Sequence, residues 1–427
     1  TRRLCDAMYE TQLIRDAIIA MTGQRYIGTA ENDNEQYTAL MHAGVNYAQE
    51  VGLQLGIPPT AAQIEDLTED LVWMEEKTVE GKQVLVPVIY LAKEYNRPSG
   101  ANINANSMDL TVDGHLGNAG NIQTREEMTL RTGTFTNARG NIKSGANMNI
   151  SAIGDIKNLS GSIKGGTIVL ASNQGNIVNQ TLSRGIDLQH SLGTEHYTVT
   201  DRTASITATN ADITLDAAKN IDNTGANITA HSGITLNAGE NVSINALSNE
   251  RAYDYTLSNG SAAGQSITHI QSNINTGGLL DITSGRDTDL EAVNINAGNT
   301  RITAQSNVNI TAVVDSSVTQ SHFENESFIS SSSTTNVNLA QSVLGTNIQT
   351  ANLVMEGNTG VNLESVMVEA SDSVQTTSTS GDIDFTARSY TNANRHEESS
   401  SILGGLYSER SVDAMSETLF ADSDTNA

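Results

Sequence analysis

The stretch NAGNIQTREEMTLRTGTFTNARGNIKSGANMNI, residues 118–150, contains a near-copy of itself. Asn118-Ala119-Gly120-Asn121-Ile122 returns as Asn137-Ala138-Arg139-Gly140-Asn141-Ile142, and more loosely as Asn158-Leu159-Ser160-Gly161-Ser162-Ile163. Working outward, Met108, Met128, Met148 and Ile168 are spaced by 20 throughout, and Leu110, Leu130, Ile150 and Leu170 keep the same step. Asn118, Asn137, Asn158 and Asn179 step by 19, 21 and 21. Segments such as MDLTV, MTLRT and MNISA alternate apolar and polar with period two and are separated by Gly or Asn. Each unit therefore reads as two or three brief strands joined by tight turns.

A unit of this size cannot close a core of its own. Ordering it costs roughly 20–40 kcal/mol, against perhaps five inward apolar groups at ~1.5–3 kcal/mol each. It must share a core with its neighbours. If Ile122 stacks over Ile103 and under Ile142, every backbone group joins a parallel ladder and each side chain lies about 4.8 Å from its copy in the next coil. The expected fold is mainly β: a right-handed parallel β-helix of about 20-residue coils, with hairpin or loop excursions. Each repeated Asn is expected at a turn, in a left-handed conformation and hydrogen-bonded to the Asn above and below, which would fix the register of the stack. Asn118, Asn137, Asn158 and Asn179, with the column Met108, Met128, Met148 and Ile168, form the predicted repeat ladder.

The pattern resumes at 204–246 and 279–314. Excursions fall at roughly 183–203, 248–268, 315–347 and 388–416, and removing them leaves about 12 to 14 coils. Aromatics are only 4% of the chain and collect in these excursions. Tyr197, Tyr253, Tyr255 and Phe323 are candidate interaction anchors, because exposed aromatics favour interfaces; the competing reading is that they pin each hairpin to its own scaffold. The run Ser330–Ser333 with Thr334 and Thr335 reads as a flexible loop.

All four prolines, Pro58, Pro59, Pro87 and Pro98, and the single Trp73 precede residue 100. Proline removes a ladder donor, so its absence thereafter suits stacked strands. The domain expectation is 1–97, a small helical segment ending in a strand, followed by 98–427, the repeats. Tyr9, Leu13, Ala17 and Met21 predict a first helix ended by Gly23, and Leu40, Met41, Val45, Ala48 and Val51 predict a second ended by Gly52. A third is expected from the Thr60/Gln63 capping box, with Ile64, Leu67, Leu71 and Met74 on one face. A turn at Glu80-Gly81 leads to a strand around 84–91, where Pro87 implies an edge.

A formal net charge of -26 repels phosphate backbones and anionic membrane surfaces, which argues against nucleic acid as a partner. No run approaches the ~18 apolar residues of a membrane-spanning helix. Cys5 is the only cysteine, which excludes an internal disulfide or a thiolate zinc site. The eight histidines lack metal-ligand spacing, and glycine-rich calcium nonapeptides are absent, so no metal or cofactor is expected. Asp281, Asp382 and Asp384 lie on strands as the carboxylates of a polysaccharide-degrading β-helix would, yet a repeat creates such spacing by accident, and no enzyme is expected. The chain starts at Thr1 and reads as a piece of something longer.

The residues assembled resemble the filamentous-haemagglutinin-like exoproteins of two-partner secretion, most closely the CdiA-type effectors of contact-dependent growth inhibition. YETQLIRDAIIAMTGQRYI and DLTEDLVWMEEKTVEGKQVLVPVIYLA look like the Tyr/Pro-rich segment of those effectors. SGRDTDLEAVNINAG and SSSILGGLYSER look like the second haemagglutinin-repeat region that follows it. The resemblance implies a secreted, cell-surface filament, part of it periplasmic before delivery, whose repeats pass a C-terminal toxin into a contacted bacterium. It implies as partners an outer-membrane secretion protein and the target cell's outer membrane or a receptor on it. With no cysteine after Cys5, the repeats could thread a pore without crosslinks. The alternative is the shaft of an adhesin or haemolysin without toxin cargo.

Overall fold

A computed structural model describes residues 2–3, 7–22, 32–60, 63–64, 67, 69–79, 82–91, 101–327, 329–402, 407–421 and 424–426. The chain divides into two compact units, Thr1–Arg97 with Leu257–Asn259, and Pro98–Thr256 with Gly260–Ala427.

In the first unit, helices α1 (Ala7–Thr22) and α2 (Asp33–Val51) accompany a three-stranded sheet of β1 (Arg2–Arg3), β2 (Leu71–Val79) and β3 (Lys82–Tyr90), ordered β1-β3-β2. Helix α2 starts at Asn32, whose side chain accepts the Glu35 N–H at 2.9 Å, and ends at Gly52 with φ 70°. Its buried face carries Tyr37, Leu40 and Ala48, while Val45 and Val51 are exposed. Gly44 is where the helix meets the sheet, since a Cβ there would fall 2.1 Å from the Val72 carbonyl oxygen. The predicted cap of α1 at Gly23 and the turn at Glu80-Gly81 lie outside the described residues.

Two expectations fail here. The Thr60/Gln63 capping box is made, with Thr60 N–H to Gln63 Oε1 at 2.9 Å, but no helix carries on to Met74. Leu71, Val72, Trp73 and Met74 are all buried, so the run is a strand covered on both faces rather than one stripe of a helix. Pro87 sits in the central strand, opposite Met74, not in an edge strand. It is tolerated because β1 pairs only with Val84 and Leu85, leaving β3 with one neighbour at Pro87.

The second unit is a parallel β-helix. Each coil has three short strands, and corresponding strands pair in parallel along three faces. The first face runs through Asn102–Ala105, Asn121–Thr124, Asn141–Ser144 and Ser162–Gly165 and onward. Its inward column is isoleucine in nine successive coils, from Ile103 paired with Ile122 to Ile295 paired with Ile348, and then Val368. β-Branched side chains repeated at strand spacing pack against their own copies, which is how one short phrase specifies a continuous core. All but the first of these isoleucines are buried; Ile103, in the first coil, is 46% exposed.

Ten complete coils form, fewer than expected, because the excursions consume more residues than their sequence pattern suggests. Every excursion is an antiparallel hairpin: Ser183–His190 with Gly193–Thr200, Leu247–Leu257 with Gly260–Ile270, Val313–Glu326 with Ser330–Leu344, and Arg388–Ile402 with Tyr407–Ala421. They follow the fourth, sixth, eighth and tenth coils, always between the third face and the next first face. Regular insertion at one corner brings them edge to edge as an eight-stranded sheet. The Ser330–Ser333 run, expected as a loop, therefore lies in a strand, with Ser331 and Ser333 hydroxyls bonded to those of Ser401 and Ser399 at 2.8 Å.

Candidate functional site

The third face places Asn118, Asn137, Asn158 and Asn179 one above another, each at most 7% exposed. Nδ2 of each donates to Oδ1 of the next at 2.8 Å. Asn223 extends the ladder at 2.7 Å, and sequence reasoning missed it because the first hairpin stretches the step to 44 residues. Beyond it the same position becomes apolar, as Ile244, Leu290, Ile310 and Leu363. The second amide hydrogen caps the coil's own corner: Asn137 donates to the Gly140 carbonyl and Asn158 to that of Gly161, both at 3.0 Å. These asparagines lie in strands. The left-handed residues are those two positions later, Arg139, Ser160 and Gly225, so the expected turn conformation is displaced to the corner proper. A Cβ on Gly161 would fall 2.3 Å from Asn137 Nδ2 and Asn158 Oδ1, so only glycine fits beside the ladder.

Met108, Met128, Met148 and Ile168 stack in register on the second face, continuing to Ile213 and Ile234. Sequence reasoning missed another ladder at the corner between second and third faces. The side-chain oxygens of Asp155, Asn176, Asn220, Asn241 and Asp287 accept the backbone N–H of Asn176, Asn220, Asn241, Asp287 and Asn307 in turn, at 2.9–3.2 Å. The N–H of Asn176 holds the Asp155 carboxyl below the usual carboxylate range, burial opposing and Lys157 assisting at 3.1 Å. Burial alone pushes Asp222 up.

The excursion aromatics are half-buried among their own strands. Tyr253 and Tyr255 stack with centroids 5.3 Å apart, Tyr255 donates to Glu195, and the Tyr253 ring lies over Gly264. Tyr197 is paired with Arg251 on the neighbouring hairpin, and burial, with Glu195, raises its phenol. Phe323 faces Gly260 and Thr334 across its two pairings. The aromatic side chains thus fill gaps left by glycines where hairpin meets hairpin. Asp281 is clamped by Arg301 at 2.9 Å, which raises that guanidinium further, and among the described residues no three His, Cys, Asp or Glu side chains gather to hold a metal.

The family model described as the haemagglutinin repeat matches residues 186–256 and 253–328. Each match runs from one hairpin through two coils to the next, so the repeat is the two-coil-plus-hairpin unit of the structure. The chain is 33% identical over 306 residues to the tRNA nuclease CdiA of Yersinia mollaretii, covering 68% of this chain and 10% of that protein. It is 34% identical over 252 residues to the tRNA nuclease CdiA of Escherichia coli O6:K15:H31, covering 57% and 8%. It is 32% identical over 232 residues to the 16S rRNA endonuclease CdiA of Enterobacter cloacae, covering 53% and 7%. The chain thus spans about a tenth or less of the relatives it matches. No solved structure matches it. With its haemagglutinin-repeat region a structural segment of stacked coils and hairpins, the chain belongs to the filamentous-haemagglutinin-like proteins of the CdiA type.

Proposed function

We propose that this chain is a non-catalytic structural and delivery segment of a large secreted, cell-surface effector, which carries a C-terminal toxin into a contacted bacterial cell. The observation that supports this most is the match of 33% identity across 306 residues to a tRNA nuclease CdiA of which this chain spans only 10%. A nuclease name on so long a relative, together with a matching region made of repeating coils, puts the catalysis elsewhere in the effector and leaves these coils to span and present. The partners in this reading are an outer-membrane secretion protein and the outer membrane of the target cell. The division of labour follows the sequence: residues 1–97 act as the Tyr/Pro-rich-type segment and 98–427 as the haemagglutinin repeats.

The test is deletion of residues 98–427 from a full-length effector that carries them. Export to the cell surface persists and killing of target cells is lost. Undiminished killing refutes the reading, and an effector with no toxin domain favours the adhesin shaft instead.

A further inference from the structure

The three faces of the β-helix differ in charge. Outward side chains of the second and third faces include Asp109, Asp216, Asp281, Asp289 and Glu364. Along the first face the outward positions of nine successive coils hold only Asn, Gln, Ser, Thr and Lys; the first carboxylate is Glu369, in the tenth coil. In a chain with 49 acidic residues against 23 Lys and Arg, this face is the one surface of the coil that an anion approaches without meeting a carboxylate. Carboxylates on the other faces are screened over the ~8 Å Debye length at physiological ionic strength.

Two cations lie on that face. Lys143 and Lys164 are register partners in adjacent coils, hence about 4.8 Å apart at the backbone. Both are exposed, and neither ion-pairs with a described residue. Stacked like charges repel, and here nothing in the described chain offsets it. They line a depression of about 400 Å³ with Asn104, Asn121, Gln123 and Asn141. Arg202 borders it, donating to Asn141 Oδ1 at 2.8 Å. The amides are held in place by bonds between coils: Asn121 to Asn102 at 2.6 Å, and Asn141 to Asn121 at 3.0 Å. Further up the face, Asn273, Asn294 and Asn347 continue this arrangement. Each amide so held keeps a further donor or acceptor for a ligand.

We propose that the first face binds a carboxylate-bearing polysaccharide lying along the coils, with its charges at Lys143 and Lys164 and its hydroxyls on the amide columns. A hydroxyl-rich, periodically charged polymer fits a strip that alternates nothing but amides, hydroxyls and two ammonium groups. Nucleic acid fits it poorly, because the strip offers no aromatic ring for base stacking. This inference is independent of the delivery reading, since a shaft without toxin would bind the same polymer.

Calorimetric titration of the purified chain with polygalacturonate, and with neutral dextran of matched length, tests it. Polygalacturonate binds and dextran does not. The double variant Lys143→Glu/Lys164→Glu weakens binding about tenfold or more, and Lys219→Glu, exposed away from the strip, leaves it unchanged. Lys143→Gln/Lys164→Gln, which places Gln where Gln123 and Gln349 already stand, shows the same loss if the charge reversal impairs folding. Equal binding of dextran, equal binding by the lysine variants, or equally tight binding of a single-stranded oligothymidylate overturns the proposal. So does a lysine-dependent self-association seen by sedimentation without any polysaccharide binding.

Discussion

Truncating Asn158 to alanine should unlock the stack at its third and fourth coils. Asn158 is 1% exposed; its Oδ1 accepts Asn137 Nδ2, and its Nδ2 donates to Asn179 Oδ1 and the Gly161 carbonyl. Alanine leaves Asn179 Oδ1 and the Gly161 oxygen buried without that donor, whereas Asn137 keeps its bond to Gly140. Two buried acceptors at roughly 1–3 kcal/mol each give a loss of about 3–5 kcal/mol, a large share of the 5–15 kcal/mol that typically holds a domain. Guanidinium unfolding followed by circular dichroism measures the loss, and hydrogen exchange should localise it to coils flanking residue 158. The reverse change, Leu290→Asn, inserts an amide between Ile244 and Ile310, with no amide above or below it, and should cost a similar amount. A loss under about 1 kcal/mol for Asn158→Ala, with unchanged exchange, would refute the view that the ladder holds register through its hydrogen bonds.

Gly161→Ala should cost at least 1–3 kcal/mol by the same unfolding assay, because its methyl group must displace ladder atoms only 2.3 Å away. Gly44→Ala should loosen the packing of α2 on the sheet, seen as a lower melting temperature, while Gly52→Asn, at a left-handed cap, should be nearly neutral. Asp155 has a lowered pKa in the folded chain, so its contribution is present above the ordinary carboxylate value and fades as pH falls through the folded one. Exchange in the third and fourth coils should therefore quicken below about pH 4, and Asp155→Asn, the residue found at the next three rungs, should remove that dependence. Asp222 runs the other way: raised by burial, it should make Asp222→Asn stabilising at pH 7 and less so at pH 4.

The coil was legible because its information is local. Once Ile122 and Ile142 are seen to recur, stacking each on its copy is the one arrangement that buries a 20-residue unit, and the sequence alone therefore determined the β-helix, its period and the asparagines that share a column. Tertiary structure decided what depended on partners distant in sequence. Leu71 to Met74 reads as a helical stripe until Lys82–Tyr90 pairs with it and covers both faces. Asn223 joins Asn179 only after a hairpin is looped out, and Gly193–Thr200 finds Leu247–Leu257 only because two full coils return the chain to the same corner. That geometry, set by the pitch of the stack and written in no single segment, makes four excursions into one sheet and leaves the first face clear of carboxylates along nine coils.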